Sequence, residues 1–255
     1  MKSFLRLLIG SVFMVGSLIS FSNADSISAY YTAGAKSVSS VKSSLQANGF
    51  KVLSTYSMGG GKTIVTVTNT QLKNTNTFIA ALNVFVNGSS EVLVQNPEYF
   101  GLAYLGKNFT RGSLKDTVLS LARALGQLQP TSDILDSSKL PHYHFMIGMP
   151  YFEEQTTVAK GASLSPKSFL YKLTLPNGNI LVGHKLSSAK GFLSKINSTN
   201  KSALLPYQSM IVGNKAVILA PKYYLALSLP LLKMGSFMKI SDIPSKIEED
   251  IIKQY

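Results

Sequence analysis

Two of the three histidines in the chain lie in one short segment together with two methionines, and both side-chain types bind metal ions. The segment contains His142, His144, Met146 and Met149. Imidazole and thioether groups are ligands that copper prefers, and imidazole is also a common ligand of zinc. If the segment is a β-strand, His142, His144 and Met146 lie on the same face of it. The pattern therefore indicates a copper or zinc site.

Strand geometry decides how many of these side chains reach a single ion. Residues two apart along a strand are separated by about 6.6 Å, so two imidazoles can share one ion, whereas residues four apart span about 13 Å, too far for Met146 to join both. The site therefore needs a further ligand. The hypothesis is a copper or zinc site made by His142, His144, Met149 and His184. The alternative is an ordinary strand with one apolar face buried and the histidines half exposed.

Other motifs that suggest chemistry do not meet its requirements. Residues 59–63, Gly-Gly-Gly-Lys-Thr, end like a phosphate-binding loop, but that motif also needs a glycine at the position of Tyr56 and a helix where a strand is predicted. Glu153 and Glu154 are adjacent, so their side chains diverge instead of facing each other. His184 has no serine nucleophile motif to serve, and the sequence contains no cysteine. The sequence thus shows no catalytic constellation.

The first 24 residues resemble a cleavable signal peptide. Lys2 and Arg6 form a basic head, residues 7–21 are apolar, and Ser22 and Ala24 are the small residues that a signal peptidase requires. The apolar run is about 15 residues long, shorter than the roughly 20 that span a bilayer as a helix. We therefore expect a periplasmic or secreted protein. The alternative is that the segment is retained as an anchor.

The composition favours partners with negative charge. The 25 basic and 12 acidic residues give a formal net charge of +13 at pH 7, which attracts a protein to anionic membranes or cell-wall polymers. No basic run with interleaved aromatic residues is present, so a nucleic-acid partner is not expected. A small ligand or an envelope protein is the other partner class that the sequence leaves open.

Turn and strand signals occur twice in the same order, which predicts an internal duplication. In the first half, a hairpin around residues 50–67 is followed by a second hairpin around an Asn-Gly turn at residues 87–88. In the second half, a Pro-Asn-Gly turn and a Gly-Asn turn form the matching pair. The segment Val94–Phe100 is echoed by Ile218–Tyr224, and Phe78–Asn83 is echoed by Phe192–Asn197.

These signals predict an α+β fold with two similar units, each an antiparallel sheet with helices packed on one face. We expect helices over residues 71–82, 186–197 and 243–251. A further helix is predicted over residues 114–128, because its leucines and one valine recur at spacings of three and four. The predicted organisation is a first unit with this trailing helix at 25–128, a linker at 129–141, and a second unit with a C-terminal helix at 142–255.

The two halves resemble domain-of-unknown-function family 302. The resemblance depends on Gly49-Phe50 at a helix end, Asn69 after a strand, the turn Asn96-Pro97-Glu98, and the segment Ala203-Leu204-Leu205-Pro206-Tyr207 in the second half. It implies a small α+β domain with helices packed on an antiparallel sheet, and it implies no reaction. The first half lacks the Leu-Leu-Pro segment, and Tyr207 stands where many members have a cysteine, so a thiol function is absent.

Three functions remain open at this stage. The first is a binding or accessory module that uses the groove between its two units for a small ligand or a protein partner. The second is a metal-handling protein centred on His142 and His144, and the third is an enzyme of an unrecognised type. The apolar segment at residues 219–238 is either core or an exposed surface that contacts a membrane or a partner.

Overall fold

The computed structural model describes residues 26–88, 90–188 and 191–255, so the predicted signal peptide at residues 1–24 lies outside the described residues. The described part has the predicted α+β architecture, with helices packed on separate antiparallel sheets. None of the helices in these ranges combines the length and the apolar character that a bilayer-spanning segment needs.

Thirteen strands are present in the described ranges. They are β1 (Ser26–Ser28), β2 (Tyr30–Ala33), β3 (Lys51–Gly59), β4 (Lys62–Thr68), β5 (Leu82–Asn87), β6 (Glu91–Gln95), β7 (Gln129–Pro130), β8 (Ile134–Asp136), β9 (Thr156–Lys160), β10 (Tyr171–Thr174), β11 (Ile180–His184), β12 (Tyr207–Val212) and β13 (Lys215–Ile218). The short strands β1 and β8 pair only with each other, and the remaining strands form two larger sheets.

The two larger sheets have the same strand order. The first sheet runs β3-β4-β5-β6-β2-β7, and the second runs β10-β11-β12-β13-β9. In both, four consecutive strands pair in chain order, and the strand that precedes them in the chain (β2 or β9) pairs with the last of the four (β6 or β13). Every pairing is antiparallel. Only β7 has no counterpart. Two copies of one unit would produce this order, so the topology supports the predicted duplication.

The same ranges hold eight α-helices and four 3-10 helices. The α-helices are α1 (Val38–Ala47), α2 (Thr70–Lys73), α3 (Pro97–Leu105), α4 (Lys115–Leu125), α5 (Phe192–Lys195), α6 (Pro221–Ser228), α7 (Met234–Met238) and α8 (Ile243–Ile252). The 3-10 helices are Phe78–Ala80, Gly106–Asn108, Ser137–His142 and Thr199–Leu204. The predicted helices over 114–128 and 243–251 are confirmed as α4 and α8.

Two predicted helices are much shorter than expected. Residues 71–82 form α2 and a 3-10 turn, after which the apolar run from Leu82 onward becomes the central strand β5. Among the described residues of the range 186–197, those of α5 are the α-helical ones. In the first case the chain leaves the helical conformation at Asn76, whose φ angle is 53°, because a continuous α-helix requires φ angles near −60°. The strand β5 then begins at Leu82 and hydrogen-bonds to β4 on one side and β6 on the other.

Residues 129–141, predicted as a linker, are structured parts of the first unit. The strand β7 pairs with β2, and β8 pairs with β1. The 3-10 helix Ser137–His142 then packs on α3. The prediction took the polar composition of this segment as a sign of an unstructured linker. In the structure, the backbone of β7 hydrogen-bonds to the backbone groups at the edge of β2, and such pairing does not require apolar side chains.

The helices α3 and α6 pack together in the centre of the molecule through equivalent hydrogen bonds. Tyr99 in α3 donates its hydroxyl to the carbonyl oxygen of Leu227 at 2.8 Å, and Tyr223 in α6 donates to the carbonyl oxygen of Ala103 at 3.3 Å. Tyr99 and Tyr223 each lie two residues after a proline, Pro97 or Pro221. The two acceptor residues also match, because Ala103 and Leu227 each lie four residues after the tyrosine of their own helix. This reciprocity is typical of a two-fold contact between like surfaces. The two units therefore share one hydrophobic core.

Candidate functional site

The segment with two histidines is not a strand, so the geometry assumed for the metal hypothesis is wrong. His142 ends a 3-10 helix, and the chain then runs through loop and turn until β9 begins at Thr156. The 3-10 helix is initiated by Asp136, whose carboxylate accepts a hydrogen bond from the amide of Ser138 at 2.9 Å. Prolines at 141 and 150 lack the amide hydrogen that a strand ladder requires.

The predicted ligands in this loop bond to the protein itself. The Nε2 atom of His144 lies 2.8 Å from the carbonyl oxygen of Met149, and its ring stacks on Tyr151 with centroids 4.2 Å apart. His144 and Met149 are thus close together, but the hydrogen bond is to the backbone carbonyl of Met149 and not to its thioether sulfur. His142 is exposed at the end of its 3-10 helix.

His184 lies in a different place, inside the second unit. It is 1% exposed, and its Nε2 atom is 2.7 Å from the Oγ atom of Ser209, which is itself 2.7 Å from the hydroxyl of Tyr255. Its Nδ1 atom has no partner with hydrogen-bond geometry. Burial lowers the pKa of His184 to about 4, and the nearby Ser168 backbone opposes this shift only in part. His184 is therefore neutral at pH 7.

The described residues contain no group of three or more histidine, cysteine, aspartate and glutamate side chains placed to hold a metal ion. His142, His144 and His184 accordingly do not form one. Because no such group is present, the described residues do not support the copper or zinc site that the sequence predicted.

The hydrogen bond between His184 and Ser209 has the distance of a base and a nucleophile, but not their surroundings. Ser209 is completely buried and His184 nearly so. A nucleophile must reach a substrate, and its base is normally oriented by a third polar group. Here the third group, Tyr255, bonds to the serine and not to the histidine. The arrangement is a polar link within the core.

We expect acid to destabilise the protein through His184. Because the pKa of this histidine is about 4 when folded and about 6.5 in an unfolded chain, the unfolded state binds the proton first as the pH falls. The contribution to stability is complete above about pH 6.5 and is lost progressively down to about pH 4. The total loss is about 3 kcal/mol. Urea denaturation across this pH range measures it.

The His184→Gln variant isolates this contribution, since glutamine does not titrate. Its free energy of unfolding should fall about 3 kcal/mol less between pH 7 and pH 4 than that of the wild type. The matched control is His142→Gln at the exposed histidine, which should keep the wild-type pH dependence. A His184→Gln variant with an unchanged pH dependence would contradict this account.

A cavity of about 300 Å³ lies where the β3–β4 hairpin of the first unit meets residues 191–205 of the second unit. We call it the inter-unit cavity. The hairpin turns sharply because Gly59, Gly60 and Gly61 adopt positive φ angles of 85°, 59° and 74°, which glycine alone adopts without strain. The turn leads into the strand β4, as the sequence predicted, and it places Lys62 at the wall of the cavity.

The inter-unit cavity has a mainly apolar wall. Met58 contributes from the hairpin, and Phe192, Leu193 and Leu205 contribute from the second unit. Two of the three hydroxyl groups in the lining already donate hydrogen bonds to nearby backbone. Ser194 donates to the carbonyl oxygen of Gly191 at 2.6 Å, and Ser202 donates to that of Thr199 at 2.8 Å.

Lys62 supplies the charge of the inter-unit cavity. Among the ion pairs of the described residues, none includes this lysine. An unpaired ammonium group beside apolar side chains favours an anionic group on a bound molecule.

A narrow cleft of about 30 Å³ adjoins the inter-unit cavity and shares Met58, Gly191 and Leu205 with it. Its remaining wall includes Tyr56 and His184. The ammonium group of Lys185 lies 5.7 Å from the centroid of the Tyr56 ring, across the boundary between the units. A second cation thus lies near a wall residue of the narrow cleft.

Sequence reasoning predicted a groove between the units but none of these lining residues as a site. Two signals point to them in retrospect. The first is the triple-glycine turn, and the second is the segment Ala203–Tyr207, which carries the resemblance to domain-of-unknown-function family 302. Neither signal shows that the two segments meet, because they are separated by more than a hundred residues in the chain.

The chain matches no family model, and comparisons with curated proteins and with solved structures found no match. The resemblance to domain-of-unknown-function family 302 therefore stays a prediction.

Proposed function

We propose that this protein is an exported binding or accessory module that holds a small ligand in the inter-unit cavity. The observation that carries the proposal is a cavity of about 300 Å³ with an apolar wall and an unpaired lysine, formed where two similar units meet. Ligand sites occupy about 300–1,000 Å³, occur preferentially at such junctions, and combine an apolar lining with a few polar groups. The periplasmic or secreted location is part of the proposal and depends on the predicted signal peptide.

The proposed ligand is a compact apolar molecule that carries one anionic group. Phe192, Leu193 and Leu205 would contact its apolar part. Lys62 would attract its anionic group. The volume is at the lower end of the range for ligand sites, which limits the ligand to a small one.

Anilinonaphthalene sulfonate is a suitable probe, because it combines aromatic rings with one sulfonate. We expect saturable binding of one probe molecule per chain by isothermal titration calorimetry. The Ser194→Trp substitution, at an exposed residue in the lining, should fill the opening and abolish binding. Lys62→Met should weaken binding about fivefold, which is the size of a partly exposed ion pair.

The matched control is Ser43→Trp, which places the same side chain at an exposed position of α1, remote from the cavity lining. It should bind the probe as the wild type does. The proposal fails if Ser194→Trp keeps wild-type affinity, or if the wild type binds the probe without saturation.

A further inference from the structure

Exposed apolar side chains are concentrated in two segments of the second unit. Ten large hydrophobic residues are exposed in the described ranges, and six of them belong to residues 146–151 and 231–238. These six are Met146, Ile147, Tyr151, Leu231, Met234 and Met238, which we call the methionine patch. Ile147 is 98% exposed. The segment at 219–238 is thus divided, since the apolar residues of 219–229 are buried and the exposed apolar side chains follow them.

The two segments of the methionine patch are in contact with each other. The rings of Phe145 and Phe237 stack with centroids 6.0 Å apart. Phe145 directly precedes Met146, and Phe237 directly precedes Met238. The loop and α7 are therefore in contact next to the exposed residues Met146 and Met238.

Hydrogen bonds hold the loop in its shape. The amide of Met149 donates to the carbonyl oxygen of Met146 at 3.0 Å, and His144 bonds to the Met149 carbonyl oxygen. The amide of Tyr151 donates to the carboxylate of Glu154 at 2.7 Å. The apolar side chains are therefore exposed on a loop whose backbone is held by hydrogen bonds.

Positive charge accompanies the methionine patch. Lys233 immediately precedes α7, Lys239 immediately follows it, and both are exposed. Neither belongs to an ion pair among the described residues. Glu153 and Glu154 follow the loop, and Glu154 is engaged by the Tyr151 amide. The whole chain carries a formal net charge of +13.

We propose that the methionine patch docks on a bilayer that contains anionic phospholipids. Interfacial binding depends on exposed apolar side chains that enter the acyl boundary and on basic residues that face the headgroups, and the patch has both. A second copy of the chain fits less well, because a two-fold contact through the same patch would bring the unpaired lysines of both copies together. This proposal is independent of the inter-unit cavity.

Co-sedimentation with lipid vesicles tests the proposal. The full chain without its signal peptide should bind vesicles of phosphatidylcholine and phosphatidylglycerol and should bind pure phosphatidylcholine vesicles much less. Ile147→Ser combined with Met238→Ser should weaken binding at least about tenfold. Lys233→Gln combined with Lys239→Gln should weaken binding to the anionic vesicles about thirtyfold, because both basic residues that would face the headgroups are removed.

The matched control is Ile252→Ser, which removes an isoleucine that is 50% exposed on α8 outside the patch. It should bind vesicles as the wild type does, and so should Ser194→Trp. Wild-type binding by the Ile147→Ser and Met238→Ser variant would overturn the proposal. So would self-association of the wild type in analytical ultracentrifugation that this variant abolishes, because the patch would then be covered by a second copy.

Discussion

Replacing Lys201 with methionine is expected to lower the free energy of unfolding by about 3–5 kcal/mol. Lys201 belongs to the 3-10 helix Thr199–Leu204 of the second unit and forms an ion pair with Asp133 of the first unit. The carboxylate of Asp133 is almost completely buried. Methionine keeps the length of the side chain but removes its charge, so the carboxylate is left buried without its cation.

The surroundings of this ion pair leave little compensation for the loss. The hydroxyl of Thr131 also donates to Asp133, at 2.8 Å, but a neutral donor does not replace an ammonium group. The ammonium group of Lys201 additionally lies 5.8 Å from the centroid of the buried Tyr30 ring. Since Thr199 and Ser202 of the same 3-10 helix line the inter-unit cavity, weaker probe binding should accompany the lower stability.

Urea denaturation at pH 7 measures the effect, with an unchanged dependence on urea as the sign of a comparable unfolding transition. The matched control is Lys195→Met, because Lys195 is 49% exposed and pairs with Asp242 at 3.8 Å on the surface. That variant should lose at most about 1 kcal/mol. In the Lys201→Met and Asp133→Asn double variant, much of the loss should be recovered. Equal stabilities of Lys201→Met and Lys195→Met would contradict the prediction.

The second large effect is expected at Asp250, where asparagine should lower the free energy of unfolding by about 3 kcal/mol. Asp250 lies in α8 and is 1% exposed. Its carboxylate accepts hydrogen bonds from the amides of Ser187 and Ser188 at 2.8 and 2.7 Å, and from the Ser187 hydroxyl at 3.0 Å. Asparagine has nearly the same shape, but its amide hydrogens would face these donors.

Urea denaturation again measures the effect, and the matched control is Asp242→Asn. Asp242 immediately precedes α8, and its side chain is 44% exposed beside Lys195 and Lys246. Asp242→Asn should therefore change the stability by less than about 1 kcal/mol. Because the bonded serines precede Gly191 and Phe192 of the inter-unit cavity, Asp250→Asn should also weaken probe binding. If both variants are equally stable, the carboxylate does not have the role assigned to it.

Local signals in the sequence were sufficient for the hairpins, for α4 and α8, and for the α+β class. A Pro-Asn-Gly turn or an Asn-Gly turn fixes its own backbone, and a helix face repeats every three or four residues regardless of what covers it. The order of these elements also carried information. Because the two halves present them in the same sequence, the equal strand order of the two sheets was foreseeable.

Residues whose conformation depends on distant neighbours were not predictable in this way. Residues 71–82 were predicted as one helix, but the helix ends at Lys73, and the hydroxyl of Thr68 donates to the carbonyl oxygen of Ala80 in the 3-10 turn that follows. His142 and His144 alternate as strand residues do, but the prolines at 141 and 150 lack the amide hydrogen that a strand ladder requires, and the segment forms a loop.

The sequence by itself thus determined the composition of each unit, its net charge, and the turns and helix faces that depend on neighbouring residues. The tertiary structure alone decided that Lys201 meets Asp133, that His184 meets Ser209, and that residues 58–62 meet residues 191–205. The physical reason is that periodicity reports which face of an element is apolar, but not which other element covers that face. A cavity or a buried ion pair forms only where two elements pack together, and a patch stays exposed only where no element covers it. Both outcomes depend on the packing of distant segments.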